Sequence, residues 1–246
     1  VTDFLSTPQG RRLAYHRTAG SGPGVVFLGG FKSDMTGSKA QFLQAWAEDQ
    51  GRPFLRFDYS GHGQSDGDFL DGAIGDWFED ALSAIEALTE GRQVLVGSSM
   101  GGWIALLVAR AIPERIAGLI GIAAAPDFTE DLMEPAFTGA ERAAMAATGR
   151  IEQPSDYGDE PYVITRRLIE EGRNRLVLRS PLPLPFPVRL LQGSADVDVP
   201  PSVALKLFDH ADSPDLRLTL VKGADHRFSE PENLALLAET LARLPV

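Results

Sequence analysis

Residues Gln93 to Trp103, QVLVGSSMGGW, constrain the fold more than any other part of this chain. Val94, Leu95 and Val96 form a short apolar run suited to a strand buried on both faces, and the residues from Met100 onward read as a helix. Between them Gly97-Ser98-Ser99-Met100-Gly101 matches G-x-S-x-G, a strand-to-helix turn so sharp that small residues are needed on both sides of the central serine. Ser99, not Ser98, is the residue pushed outward. The helix start beyond it offers unpaired amides and a positive dipole end, so the Met100 N–H is placed to stabilise an oxyanion. A glycine-rich turn whose serines cap a helix is the plainer alternative for five residues taken alone.

The rest of the chain decides between them, because apolar runs and helical periodicities alternate along most of it. Strands are expected at Arg12 to Thr18, Val25 to Leu28, Pro53 to Phe57, Ile116 to Ala125, Val188 to Gln192 and Leu216 to Val221. Helices are expected within Gly37 to Gln50, at Asp76 to Glu90, at Ser202 to His210 and at Leu234 to Leu244. Such alternation implies an α/β fold: a mostly parallel sheet with helices on both faces, and ligands at the carboxyl ends of its strands. From about Pro126 to Pro187 the periodicity weakens into short pieces: an Ala-rich segment at Glu141 to Ala147, a Tyr157-Gly158 turn, and a helix over Tyr162 to Asn174. A small lid insertion at about residues 127–180 of a single domain spanning 1–246 is the expectation, with Pro181, Pro183, Pro185 and Pro187 stiffening the return.

Composition removes several function classes. A net charge of −11 argues against nucleic-acid partners and against an anionic membrane surface. With no cysteine there is no disulfide, thiolate metal site or cysteine nucleophile. No apolar stretch approaches the ~18 residues of a spanning helix, and VTDFLSTPQGRR lacks a charged start followed by an apolar run. A soluble cytoplasmic enzyme is therefore expected, although a chain beginning with Val leaves room for a removed leader. The loop Asp58 to Phe69, DYSGHGQSDGDF, is glycine-rich, but its spacing misses G-x-G-x-x-G and it has no P-loop lysine.

A serine nucleophile needs a base, and the candidates are His16, His62, His210 and His226. His226, just beyond the strand Leu216 to Val221, alone combines a late position with a strand's carboxyl end. Asp196, four residues past Gln192, lies at another carboxyl end and suits the acid that orients an imidazole. Asp198, next to Val199-Pro200-Pro201, suits capping or exposure better. Ser99, Asp196, His226 is the triad order expected of a nucleophile-elbow hydrolase. The second oxyanion amide falls to Phe31, after Gly29-Gly30.

With these residues in place, the chain resembles the serine α/β hydrolases over about Leu13 to Leu244. LGGFKSDMTGSKA, RFDYSGHGQSDGDF, GSSMGGW, LLQGSADVDVP and GADHRF are similar to one branch, the mitochondrial acyl-protein thioesterases and acyl-glucuronide esterases with their bacterial relatives. The resemblance implies the α/β-hydrolase fold. It also implies Ser99 as nucleophile, Asp196 as acid, His226 as base, the Phe31 and Met100 amides as oxyanion hole, and neither cofactor nor metal. The substrate expected is a small carboxylic ester or thioester, or an acyl-protein. Two other readings fit the same residues: a serine peptidase or amidase, and a non-catalytic ligand-binding member of the fold. Arg166, Arg167, Arg173, Arg175 and Arg179 form a basic excess in the lid, which raises the idea that they attract anionic leaving groups.

Overall fold

A computed structural model of the protein describes residues 2–154 and 161–246. Its centre is an eight-stranded sheet built from β1 (Asp3–Ser6), β2 (Arg12–Thr18), β3 (Gly24–Leu28), β4 (Phe54–Phe57), β5 (Gln93–Ser98), β6 (Ile116–Ile122), β10 (Val188–Gly193) and β12 (Leu216–Val221). The spatial order is β1-β2-β4-β3-β5-β6-β10-β12. β1 and β2 run antiparallel to their neighbours and the remaining pairs are parallel. Every residue of β3, β5 and β6 is buried, as continuous apolar runs require when both faces are covered.

Alternation along each central strand sends side chains to two cores. Val26, Leu28 and Leu95 pack with Trp77 and Ile85 of α2 (Ile74–Leu88) and Trp103 of α3 (Met100–Ala111). Val25, Phe27, Val94 and Val96 point the other way, onto Leu43 and Ala47 of α1 (Ser38–Asp49) and Leu237 and Leu241 of α8 (Pro231–Ala242). α7 (Pro201–His210) joins β10 to β12. This is the α/β-hydrolase architecture, a large mostly parallel sheet covered by helices.

Between β6 and β10 lies a layer of short elements: a π-helical turn (Thr129–Met133), α4 (Glu134–Ala136), α5 (Gly139–Thr148), β7 (Arg150–Gln153), β8 (Tyr162–Thr165), α6 (Arg166–Gly172) and β9 (Leu182–Pro183), which pairs with β11 (Ala211–Asp212). Two local expectations need correction. Tyr162–Thr165 is a strand paired antiparallel with β7, not the start of a helix, and Thr165 caps α6 by accepting from the Leu168 N–H at 3.1 Å. Tyr-Val-Ile-Thr is a run of β-formers, and pairing with Ile151 and its neighbours outweighs the helical periodicity. β1 is an addition to the expected strands; it is short and mostly exposed, and Phe4 is covered by the Arg12 guanidinium at 3.5 Å from its ring centre. The Tyr157-Gly158 turn lies outside the described residues.

Candidate active site

Ser99 stands at the junction of β5 and α3 with φ 54° and ψ −119°, a left-handed backbone that costs a residue with a Cβ about 1–3 kcal/mol. Three backbone bonds hold it there: Ser99 N–H to the Ile122 carbonyl at 2.9 Å, and the amides of Gly102 and Ala125 to the Ser99 carbonyl at 2.9 and 3.1 Å. At about 0.5–1.5 kcal/mol net for each bond, they are enough to offset the strain. The motif glycines are required by close approach. A Cβ on Gly97 would lie 2.3 Å from the Gly101 carbonyl oxygen, and one on Gly101 would lie 2.0 Å from that of Leu28. Gly101 thus lets the start of α3 sit against the end of β3, which brings Gly29-Gly30-Phe31 beside the serine. Ser98 is buried, whereas Ser99 is half-buried at the cavity.

The carboxyl ends of β10 and β12 deliver the other two groups. His226 Nε2 lies 3.0 Å from Ser99 Oγ, and His226 Nδ1 lies 2.9 Å from Asp196 Oδ2. With Nδ1–H donated to Asp196, Nε2 keeps the lone pair that accepts the Ser99 hydroxyl proton. Asp196 is buried and accepts three further bonds: Gln192 Nε2 at 2.9 Å on Oδ2, and the amides of Val199 at 2.8 Å and Asp198 at 3.0 Å on Oδ1. Burial alone would raise its pKa, but the bonds from His226, Val199 and Gln192 outweigh that effect and hold the carboxyl below the usual range. Asp198 contributes its backbone N–H to Asp196, and its exposed side chain lies at the cavity wall.

The structure separates the other three histidines from Ser99. His16 on β2 pairs with Thr2 Oγ1 at 3.2 Å, and His210 at the end of α7 meets the Ser180 carbonyl at 2.8 Å. His62 is buried in a cage of Tyr59, Phe69 and Trp77, with ring centres 5.0–5.6 Å away, and burial pushes its pKa down to about 4. It is a core imidazole kept neutral.

Phe31 follows the two glycines after β3, and a Cβ on Gly30 would lie 3.5 Å from the Cβ of Ser99. The Phe31 and Met100 backbones therefore flank the serine on two sides, while the Phe31 ring packs edge-on against Phe69 and Phe128 at 4.9 and 6.0 Å. The loop is held from below by groups that the sequence motif does not reveal. Asp58 accepts from the Met35 N–H at 2.6 Å and from the Gln64 N–H at 2.8 Å, and the Arg56 guanidinium donates to the Met35 carbonyl. The RFD of RFDYSGHG thereby fixes the M of GGFKSDM at both faces of its backbone. Asp80, fully buried, accepts from Ser60 N–H and Oγ–H and from Arg11, and so anchors the same glycine-rich loop. Gln192 belongs with these supports; its only mark in the sequence is a polar side chain at the end of the apolar run VRLL.

A cavity of about 720 Å³ opens over Ser99 and His226, within the ~300–1,000 Å³ range of small-ligand sites. Phe128, Leu132, Met133, Ala136 and Ile164 give it an apolar wall on the side of the short elements, while Ser38, Lys39, Arg227 and Ser229 line it on the side of α1 and the His226 loop. The five arginines considered for anionic leaving groups are not on these walls. Arg167 pairs with Asp76 at 2.6 Å, Arg173 with Glu130 and Glu134, Arg175 with Glu171 at 2.7 Å, and Arg179 with Asp127 and Asp131, while Arg166 donates to the Met145 and Ala146 carbonyls. Their charges are spent on holding the layer together. Among the described residues, Asp196, Asp198 and His226 are close enough to share a cation, but His226 and Asp196 are already engaged with each other and with Ser99. No helix among the described residues is long and apolar enough to cross a membrane.

Comparison with known proteins agrees with this architecture. Residues 25–240 match the model of the alpha/beta hydrolase family. Palmitoyl-protein thioesterase ABHD10, mitochondrial, of Rattus norvegicus is 40% identical over 241 residues, covering 97% of this chain and 80% of the relative; the Homo sapiens protein of that name is 37% identical, covering 97% and 78%. Among solved structures, a putative hydrolase from Agrobacterium vitis S4 superposes with a TM-score of 0.95 at 41% identity, covering 98% of this chain and 97% of the other. Mouse alpha/beta hydrolase domain-containing protein 10 superposes with a TM-score of 0.91 at 38% identity over the same shares. The chain belongs to the alpha/beta hydrolase family.

Proposed function

We propose that this enzyme is a serine hydrolase that cleaves carboxylic thioesters and esters of extended acyl chains through an acyl-enzyme. The observation that carries the reading is the chain of contacts Ser99 Oγ to His226 Nε2 at 3.0 Å and His226 Nδ1 to Asp196 Oδ2 at 2.9 Å, set at the floor of a cavity with one apolar wall. His226 takes the Ser99 proton as Oγ attacks the acyl carbonyl. The amides of Phe31 and Met100 donate to the oxyanion, and Asp196 stabilises the imidazolium. His226 then returns the proton to the departing thiol or alcohol, and a water activated by the same imidazole releases the acid.

In this reading residues 1–246 form one α/β-hydrolase domain with a lid insertion at about 127–180, and the acyl chain lies against Phe128, Leu132, Met133 and Ile164. The relatives named as palmitoyl-protein thioesterases favour a long acyl group and an acyl-protein substrate. The relatives are named as mitochondrial, and fractionation of the producing cell distinguishes that compartment from a cytoplasmic one. The test is a panel of acyl-cysteine peptide thioesters and p-nitrophenyl esters of graded chain length. Rising kcat/KM with chain length, about fourfold per buried methylene until the wall is filled, supports the reading. Release of amine from peptides with no thioester turnover points instead to an amidase on the same residues.

A further inference from the structure

The loop after β12 carries His226, and its first half is tied to the loop that carries Asp196. Gly223 N–H donates to Ser194 Oγ at 2.8 Å, and Ala195 N–H donates to the Ala224 carbonyl at 3.0 Å. Those ties stop short of the imidazole. Beyond His226 the chain turns at Phe228, a non-glycine residue with φ 50°, which persists only where the surroundings hold it. The Phe228 ring is fully buried in the core shared with α1 and α8. The peptide unit joining Arg227 to Phe228 is also held from opposite ends: Asp225 Oδ1 accepts from the Phe228 N–H at 3.0 Å, and the Lys39 ammonium donates to the Arg227 carbonyl. A peptide is planar, so fixing its N–H and its C=O together fixes the turn on either side of it. Ser229 Oγ adds a second donor to the same carbonyl at 2.9 Å and lies 3.4 Å from Lys39 Nζ.

Lys39 reaches this carbonyl from the first turn of α1, the helix that follows the Gly29-Gly30-Phe31 loop. One side chain therefore links the oxyanion side of the cavity to the base side. We propose that Lys39 is a positioning residue of the hydrolytic site, whose ammonium sets the His226 ring against Ser99 by holding the Arg227 carbonyl. This rests on His226 being the base.

The link has a pH signature. Burial between helix and loop brings the Lys39 ammonium down from the ordinary lysine value to about 8, with Asp225 acting to raise it and Arg227 to lower it. Among the described residues these are the two charges that act on it, and both belong to the loop it holds. Above pH 8 the neutral amine still has donors, but it loses the charge-assisted bond, which is about twice as strong as a neutral one. Stability moves the opposite way. With its folded pKa below the unfolded ~10.4, Lys39 binds its proton more weakly in the folded chain, so between about 8 and ~10.4 rising pH favours the folded state through this group. An alkaline loss of turnover is thus separable from a loss of fold.

The experiment measures kcat and KM against pH on a matched pair of neutral and anionic esters for the wild type, Lys39→Met and Lys39→Arg, with tryptophan fluorescence followed in parallel. Wild-type kcat declines several-fold through about pH 8 while the fluorescence is unchanged. Lys39→Met lowers kcat at pH 7 by about ten- to hundredfold, the effect of a base misplaced by an ångström or less, with KM within about twofold and no alkaline decline. Lys39→Arg, whose guanidinium stays charged, keeps kcat within about tenfold of wild type and also loses the decline. The proposal is overturned by a Lys39→Met enzyme with wild-type kcat and an unchanged alkaline limb, or by an effect confined to KM for anionic leaving groups, which would make Lys39 a substrate contact. If Lys39→Met does not fold, the wild-type limb decides: a kcat flat to about pH 9.5 overturns it. Fluorophosphonate labelling of Ser99 and the activity of His226→Ala are measured alongside. If labelling fails and His226→Ala is active, the serine-hydrolase reading has failed; if those two hold and the Lys39 variants are silent, only the role of Lys39 has.

Discussion

The floor and the roof of the cavity are held by different forces. On the floor, Ser99, Asp196 and the Phe31 loop are fixed by bonds inside the fold: three backbone bonds around Ser99, three donors on Asp196 besides His226, and Met35 gripped by Asp58 and Arg56. The roof is stitched by ion pairs at the surface. Arg173 meets Glu134 at 2.5 Å, Lys206 meets Asp131 at 2.8 Å, and α5 buries none of its residues. Exposed pairs of this kind contribute about 0–1 kcal/mol each, whereas a buried polar group stripped of its partner costs about 1–3 kcal/mol. The roof's firmest tie is at its root, where buried Asp127 accepts from the Val177 and Leu178 amides at 2.8 and 3.0 Å and closes the two ends of the segment on each other. The contrast suits the proposed hydrolase, whose reacting atoms must be held to fractions of an ångström while its acyl wall need not be.

The floor is broken most severely at Asp196. Asp196→Asn retains the side-chain shape but favours the wrong imidazole tautomer, and the same change at the orienting aspartate of a serine protease lowers kcat by about 10⁴. Asp198→Asn stays within about tenfold of wild type, since Asp198 reaches Asp196 through its backbone. Steady-state kinetics on one ester check both, and the reverse ranking would move the orienting acid to Asp198.

A substitution in the roof should change selectivity instead. Leu132→Asp puts a charge on the apolar wall, so kcat/KM for a long acyl chain falls by roughly tenfold or more while a short acetyl ester is turned over almost as before. Equal losses on both substrates would erase the division between floor and roof.

Acid acts first through His62, whose burial holds its folded pKa at about 4, below the unfolded ~6.5, so stability falls as pH drops between those values before the carboxylates titrate. The hydrogen bond from Arg179 holds Asp131 below the usual carboxylate range, and Asp196 lies low because its bonds outweigh its burial. A carboxyl whose folded pKa is depressed contributes stability that is present above its unfolded value of ~3.9 and is lost as pH falls through the lower folded value. Asp80 and Asp127, raised by burial, act with the opposite sign, so falling pH favours the folded state through them. Tryptophan fluorescence should therefore be constant at about pH 7 and above, and any change should fall below ~6.5. Trp103 reports on the roof, because its Nε1–H donates to the Arg175 carbonyl at 3.1 Å. A transition centred above about pH 6.5, before His62 begins to cost stability, would contradict these assignments.

The smallest effect tests the roof arginines. Arg173→Ala should cost less than about 1 kcal/mol in denaturant unfolding and leave the ratio of kcat/KM for matched anionic and neutral esters unchanged in low and high salt. A selective loss on the anionic ester would restore a substrate role to these residues.

The parts of this molecule that are legible in the sequence are those with a backbone signature. Val94 to Val96 and the two glycines about Ser99 announce a buried strand and an elbow, and Asp196 and His226 each stand a few residues beyond an apolar run. That placement follows from the sheet, because strand ends converge at one edge. Gln192, Lys39, Arg56 and Asp58 leave no such mark. Each is one polar residue whose partner is remote in sequence or set by a loop's turn, and no periodicity encodes it. Tyr162 to Thr165 misleads for another reason: the strand needs β7 beside it, and a four-residue β-run before a short capped helix looks continuous with that helix.

We propose Ser99 as the nucleophile, activated by the groups of the floor. Treatment with a fluorophosphonate, followed by intact mass and peptide mapping, tests this directly. We expect one adduct per chain, on Ser99, retained in Ser98→Ala, absent in Ser99→Ala, and slowed by orders of magnitude in His226→Ala. Labelling on Ser98, or unmodified Ser99 in an enzyme that still turns over thioester, would contradict it.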